Sequence, residues 1–279
     1  MKFSLILATT GRTDELSNFL YHLLKQEFDN YELIIVDQND DDRLVSILTG
    51  YQEKLPIIHL KSGRGLSKAR NTGISKAQGE VIGFPDDDCW YPPDLLEKVS
   101  VFLINKPNIS GVTGRVIDEK GNKLARYAIQ GGYLTKYNTW ERTSSVSMFM
   151  KTPVIRDIGG FDENLGLGAE TIYQGGEDIE LPIRAVEKGY QIYYEPEIIV
   201  YHPGTSTKNK FDWYQRAFGY GAGIGYVWRK HNFPILRVMY YLIRPLVGSM
   251  LSLASANLVT ARYYWYSFRG RWVGWHLRD

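Results

Sequence analysis

Residues 79–94 read GEVIGFPDDDCWYPPD. The short apolar run Val81–Phe84 predicts a buried strand, and Asp86, Asp87 and Asp88 follow it almost at once. Pro92 and Pro93 close the segment. Like charges packed at the end of a buried strand repel each other, so a positive partner has to offset them. A similar arrangement stands upstream. YELIIVDQND (31–40) is an apolar run that ends in Asp37.

The flanking sequence places these acids in a recognisable architecture. FSLILA (3–8) and PIIHLKS (56–62) predict two further strands. Leu16, Phe19, Leu20, Leu23 and Leu24 recur at helical spacing and predict a helix over 14–26. Further helices are expected over 43–54, 66–78 and 93–105, with a strand over 79–88. Strands alternating with helices of about ten residues predict an α/β fold with a doubly wound, mostly parallel sheet. Such sheets bind ligands beyond the carboxyl ends of their strands, where Asp37 and Asp86–Asp88 fall. Beyond residue 110 the strands ISGVTGRVID, SSVSMFMK and YQIYYEPEIIVYH surround one helix near 179–188. No repeat is present.

Composition narrows the class. The chain has 279 residues, 44% of them apolar, enough for one large domain or a domain with an appendage. Cys89 is the single cysteine, which excludes an internal disulfide and fits a reducing compartment. The opening MKFSLILATTGR has too short an apolar run for a signal peptide and is read as the first strand. The net charge of +2 hides an asymmetry: residues 229–279 carry +7 and residues 1–228 carry −5.

A hard divalent cation, Mn²⁺ or Mg²⁺, answers the repulsion in the aspartate triplet, because such ions take one or two carboxylates plus substrate phosphates. A solvated acidic turn would read the same in isolation. Four stretches in order decide between them: SLILATTGR (4–12), YELIIVDQND (31–40), GLSKARNTGISKAQGEVIGFPDDDCWYPPDLL (65–96), and GGFDENL (159–165) with GGEDIELPIRAVEKGYQIYY (175–194). Together they resemble the family 2 glycosyltransferases of the glycosyltransferase A fold, across residues 3–203. Two departures stand out. Ala8-Thr9-Thr10-Gly11-Arg12 replaces the family's usual Pro-Thr-Tyr-Asn-Arg, and Cys89 replaces a common fourth acid.

The resemblance implies roles. Thr9, Arg12, Asp37, Arg70, Asp86 and Asp87 would bind a nucleotide-sugar donor, with Asp37 accepting from a base that is typically uracil. Asp88 would be the main metal-contacting acid, with His202 in VYHPG beside it; a lone histidine is otherwise most often structural. Asp178, with Glu177, would supply the base of an inverting transfer. Both sit at an expected helix start, where the dipole favours an ionised carboxylate and where aspartate is also a common cap. Pro182 is expected within the first turn of that helix. The four glycines of LGLGAETIYQGG (165–176) suit a mobile loop over the acceptor, and Trp140 and Tyr173 are candidates to stack on sugars or to pack in the core.

Residues 1–210 are thus expected to form the catalytic domain and 211–279 an aromatic, basic, amphipathic helical extension. The uncharged run 246–261 is shorter than the roughly twenty residues of a spanning helix. With RYYWYSFRGRWVGWHLRD behind it, the extension is expected to lie in the cytoplasmic leaflet and to reach a lipid-linked or glycan acceptor. A soluble helical hairpin or a dimer interface would fit the same pattern. No nucleic-acid module is present. A sugar nucleotidyltransferase or a non-catalytic nucleotide-sugar sensor are the other readings. The first would want a glycine-rich basic loop where ATTGRTDE stands, and the second leaves the full carboxylate set unexplained.

Overall fold

A computed structural model describes residues 1–123, 127–203 and 210–277. Residues 204–209, which precede the expected boundary at 210, and Arg278 and Asp279 of the basic tail lie outside the described residues. The chain forms two compact units that do not follow chain order. The first comprises Met1–Arg64, Lys68–Phe161 and Leu181–Gly204. The second comprises Gly65–Ser67, Asp162–Glu180 and Thr205–Asp279.

The first unit is built around strand β1 (Phe3–Thr9), every residue of which is buried. β2 (Tyr31–Asp37) and β4 (Val81–Gly83) flank it in parallel, and β3 (Ile57–Lys61) pairs in parallel with β2. Beyond β4 come β7 (Met148–Lys151), β5 (Gly111–Ile117), β8 (Ile192–Tyr201) and β6 (Gly132–Tyr133), in the order β3-β2-β1-β4-β7-β5-β8-β6. β7 runs antiparallel to both β4 and β5, β6 runs antiparallel to β8, and β5 and β8 are parallel. The expected mixed, mostly parallel sheet is therefore present.

Helices cover both faces, which is why β1 and β2 are apolar runs and not alternating patterns. Leu16, Phe19 and Leu20 of α1 (Asp14–Leu23) share a core with Leu5, Leu7 and Ile35, and Leu96, Val99 and Leu103 of α4 (Leu95–Asn105) join it. α3 (Leu66–Lys76) packs on the other face through Gly73, where a Cβ would lie 2.3 Å from Ile6 Cγ2. The short helices α2 (Val45–Tyr51) and α5 (Thr152–Asp157) complete the layer connections.

β4 is shorter than the expected strand over 79–88. Pro85 lacks the N–H needed to continue the ladder, so pairing stops at Gly83 and resumes only as a single Ala8–Asp86 bridge. The aspartate triplet is thereby released from the sheet into a turn at the end of β1.

A buried glutamate ties the other end of the sheet together. Glu32, 5% exposed, accepts from Ser4 Oγ at 2.5 Å, the Gln78 amide at 2.6 Å and Lys2 Nζ at 3.0 Å. Burial works against its charge, but these three donors outweigh it and hold the carboxyl below its ordinary range. The contribution is therefore present above the unfolded-state value, about 4.3, and fades as pH falls through the lower folded value. Glu32→Ala should cost about 2–4 kcal/mol in urea unfolding at pH 7, because the buried Ser4 hydroxyl and the part-buried Gln78 amide lose their acceptor. Glu32→Gln should flatten the acid limb of stability below about pH 5. A variant whose acid limb matches that of the parent would show that this carboxylate is not a stability determinant.

Candidate active site

Register places the candidate residues. Thr9, the last residue of β1, stands opposite Asp37, the last of β2. On the other side of β1, Ala8 bridges to Asp86. The strand order diverges from β1 in both directions, so the acids lie at the topological switch point of the sheet.

The triplet is held by specific partners. Asp87 is 5% exposed and accepts from Thr9 Oγ1 at 2.7 Å and Arg12 Nη1 at 2.6 Å. The same Nη1 donates to Asp88 Oδ2 at 2.5 Å. One guanidinium nitrogen thus serves two carboxylates. Burial pushes the Asp87 carboxyl up to about 6, with Asp86 adding to the rise and Thr9 and Arg12 opposing it. Burial alone would lower the Arg12 guanidinium, but Asp87 and Asp88 raise it instead. The two partners do not stabilise each other equally, because Arg12 divides its charge between the acids.

Asp86 accepts from Arg70 Nη2 at 2.9 Å. Arg70 is 1% exposed, also bonds Ser145 Oγ at 3.0 Å, and lies over the rings of Phe84 and Phe161. Its immediate role in this structure is to hold Asp86.

His202 comes from the far end of β8. A Trp90–Tyr201 bridge, with hydrogen bonds of 2.9 and 3.1 Å and rings stacked at 5.7 Å, brings that strand end to the triplet. His202 Nε2 lies 3.0 Å from Asp88 Oδ1, while Nδ1 lies 2.7 Å from the Pro203 carbonyl. Nδ1–H donates to that carbonyl, which turns Nε2 toward the carboxylate. Burial would lower the imidazole, but Asp88 outweighs it and raises it, so the site favours positive charge there. Burial likewise would raise Asp88, and His202 and Arg12 bring it below its ordinary range.

This donor set fits a divalent cation. Asp88 Oδ1 and His202 Nε2 face one another on the side away from Arg12, and a backbone carbonyl orients the imidazole as it commonly does for metal-bound histidines. Among the described residues no three His, Cys, Asp or Glu side chains gather into a full metal cage. A two-residue grip completed by phosphate oxygens and water suits magnesium or manganese.

Asp37 is fully buried. Oδ1 accepts from the Asn39 amide at 2.8 Å and from Asn39 Nδ2 at 2.7 Å, and Oδ2 meets Lys61 Nζ at 3.0 Å and His59 Nε2 at 3.1 Å. Burial opposes its charge, yet these donors keep the carboxyl below its ordinary range. Asn39 Oδ1 also accepts from the Gly11 amide at 2.7 Å, tying the Arg12 loop to β2. Asn39, His59 and Lys61 were not anticipated from sequence. The alternation of His59 and Lys61 at the end of a predicted strand, which puts both on one face, was the available signal.

Glu177 and Asp178 belong to the second unit, at the start of α6 (Glu177–Glu187). The first is buried and the second half-buried. Pro182 falls in the second turn, not the first. It removes the N–H that would bond the Asp178 carbonyl, yet the helix continues through it.

The preceding loop, expected to be mobile, carries several hydrogen bonds in this structure. Gly166, Gly168 and Gly176 supply positive φ, and the Gln174 side chain bonds the Gly168 amide and the Ala169 and Thr171 carbonyls. Ser67 Oγ donates to the Leu165 carbonyl at 2.6 Å. Tyr173 is 2% exposed and packs 4.6 Å from Tyr226, so it is core and not a sugar platform. Trp140 is half-buried in a short 3-10 turn.

The second unit also contains α7 (Lys210–Lys230), α8 (Ile235–Ala254) and α9 (Leu258–His276). α7 approaches the loop at Gly223, where a Cβ would lie 1.8 Å from the Gly175 carbonyl. Lys230 at its end bonds Asp162 at 2.6 Å and the fully buried Glu180 at 2.7 Å, with His231 3.3 Å from Glu180 and Tyr226 2.9 Å from Asp162. The α6 start and the loop start are thus clamped to one ammonium. Lys230→Met should cost about 3 kcal/mol in chemical unfolding, because Asp162 and the buried Glu180 both lose the ammonium that bridges them. A loss below about 0.5 kcal/mol would mean that the clamp is not structural.

Comparison with known proteins follows the geometry. Residues 4–157 match the model of the family described as Glycosyl transferase family 2. The chain is 24% identical over 255 residues to glycosyltransferase AglE of Haloferax volcanii, covering 88% of this chain and 80% of that one. It is 27% identical over 179 residues to the pre-mycofactocin glycosyltransferase of Mycobacterium tuberculosis, covering 60% of this chain but 36% of that protein. Among solved structures, TarS 1–349 of S. aureus in complex with UDP-GlcNAc superimposes with a TM-score of 0.63 at 15% identity, over 96% of this chain and 92% of that one. The mannosyltransferase PcManGT of Pyrobaculum calidifontis, in complex with GDP-Man and Mn²⁺, gives 0.67 at 16% identity, over 98% and 86%. At such identities these structures speak for the fold, the glycosyltransferase A fold. The family match covers more than half of the sequence, and the chain belongs to glycosyl transferase family 2.

Proposed function

We propose that this glycosyltransferase is metal-dependent and inverting, and that it moves a sugar from a UDP-linked donor to a lipid-linked or glycan acceptor at the cytoplasmic membrane face. The observation that carries the reading is the Asp88–His202 pair at 3.0 Å beside the Arg12-bridged carboxylates, at the strand ends where the fold binds ligands. The nucleotide sugars in the two structural neighbours, and Mn²⁺ in one, support it.

Uracil presents an acceptor, a donor and an acceptor along its pairing edge. Asp37, held by Asn39, Lys61 and His59, would accept from the central imide N–H of that edge.

Asp88 and His202 would hold Mn²⁺ or Mg²⁺, whose charge stabilises the departing diphosphate. Arg12 and Thr9 fix Asp87, and Arg70 fixes Asp86, so that the donor meets a preorganised wall. Asp178 would take the proton from the acceptor hydroxyl as its oxygen bonds the anomeric carbon. The bond from that carbon to phosphate breaks on the opposite face, and its electron pair leaves with the diphosphate. Attack from the far face inverts the anomeric centre.

Asp178→Asn should lower turnover by about 10²–10⁴-fold while leaving donor affinity within a few fold, measured by nucleoside diphosphate release and by donor titration. Full turnover in that variant would move the base elsewhere. Asp88→Ala and His202→Ala should each weaken Mn²⁺ binding by more than about tenfold, read by paramagnetic resonance titration in the presence of UDP. Chelation should abolish transfer. Activity that survives both chelation and Asp88→Ala would remove the metal from the reaction.

A further inference from the structure

The outward face of α8 is apolar along its whole length. Leu236, Tyr240, Ile243, Val247, Met250 and Leu251 are all exposed, Leu236 at 82% and Leu251 at 66%. Their spacing of three and four keeps them on one stripe. Val238, Leu242, Pro245 and Ser249 occupy the opposite face and are buried. α8 therefore buries one face and is also hydrophobic on the side where solvent would be expected.

Charge identifies what covers this face. From Trp213 to Leu277 the sequence contains eight Lys/Arg and no Asp or Glu. Arg237 and Arg244 lie two turns apart along one flank of the stripe, Arg244 being exposed. On α9, Arg262, Trp265, Arg269 and Trp272 follow at spacings of three and four and are exposed. Arginine and tryptophan together suit the headgroup level of a bilayer. A second copy of the chain is a poor occupant, because a two-fold contact through this face would oppose like charges. Crossing the bilayer is also disfavoured. No helix among the described residues is long and apolar enough to span, and Arg244-Pro245 interrupts the middle of α8.

We infer that α8 is an in-plane anchor that buries its outward stripe in the acyl boundary of an anionic lipid surface, with the arginines of α8 and α9 on phosphate headgroups. This deepens the membrane part of the proposed function and rests on that reading for its purpose. Its test reads lipid binding and not sugar transfer, so the two fail separately.

The experiment is flotation of the full chain with vesicles of phosphatidylcholine alone or with about one third phosphatidylglycerol, alongside donor hydrolysis in solution. Anionic vesicles should bind at least about tenfold tighter than neutral ones, and salt should weaken the difference. Trp265 and Trp272 should give a blue-shifted emission that brominated lipid quenches. The triple variant Leu236→Glu, Ile243→Glu, Met250→Glu points entirely outward and should lose vesicle binding while keeping its thermal transition. The triple variant Arg244→Gln, Arg262→Gln, Arg269→Gln should lose the anionic preference. A parent chain that stays unbound on both vesicles, or equal binding to both, overturns the inference. So does a glutamate variant that binds as the parent does, or one whose only change is dissolution of a dimer.

Discussion

Three carboxylates crowd the end of β4, and much of the first unit serves to make that crowding tolerable. Two guanidiniums and an imidazole are brought to them from three separate parts of the chain. Arg70 is buried beneath Asp86, Arg12 reaches in from the loop after β1, and His202 arrives from β8. None of these contacts is local in sequence. Without them the acids would protonate or the turn would open, since buried like charges are not stable alone. On the side of Asp88 the compensation comes from His202, and each group shifts the other toward its charged form.

The geometry depends on a break in regular structure. Pro85 stops the β4 ladder after three residues, which lets the triplet turn across the end of β1. The Trp90–Tyr201 bridge then fastens the turn to β8. Thr9 and Asn39 fix the neighbouring loops through side-chain bonds to Asp87 and Asp37. The result is a rim in which most polar groups are already oriented by protein partners.

The second unit meets a different constraint. Its loop before α6 carries glycines where the backbone takes positive φ and where α7 comes within contact of it. Lys230 holds Asp162 and Glu180 at the two ends of this segment, so the candidate base sits on a clamped helix start. The same unit presents the apolar stripe of α8. The candidate base and the apolar stripe thus belong to one unit.

Sequence alone determined the sheet class, the strand ends that carry acids and the family, because these rest on apolar runs, periodicity and motif order, which are local. It also placed Asp37, Asp86–Asp88 and His202 at strand ends, and the structure joins the triplet and His202 into one cluster. It did not reveal that Arg70 lies under Asp86, that His59 and Lys61 guard Asp37, or that Lys230 clamps the α6 start. Those pairings join residues 16 to 68 positions apart, and only the folded chain brings such partners within hydrogen-bond distance. The partners of the glycine loop were hidden for the same reason: composition reports what a backbone can adopt, whereas its neighbours decide what it does adopt. The burial of one face of α8 and the exposure of the other were likewise settled by packing against partners that periodicity cannot name.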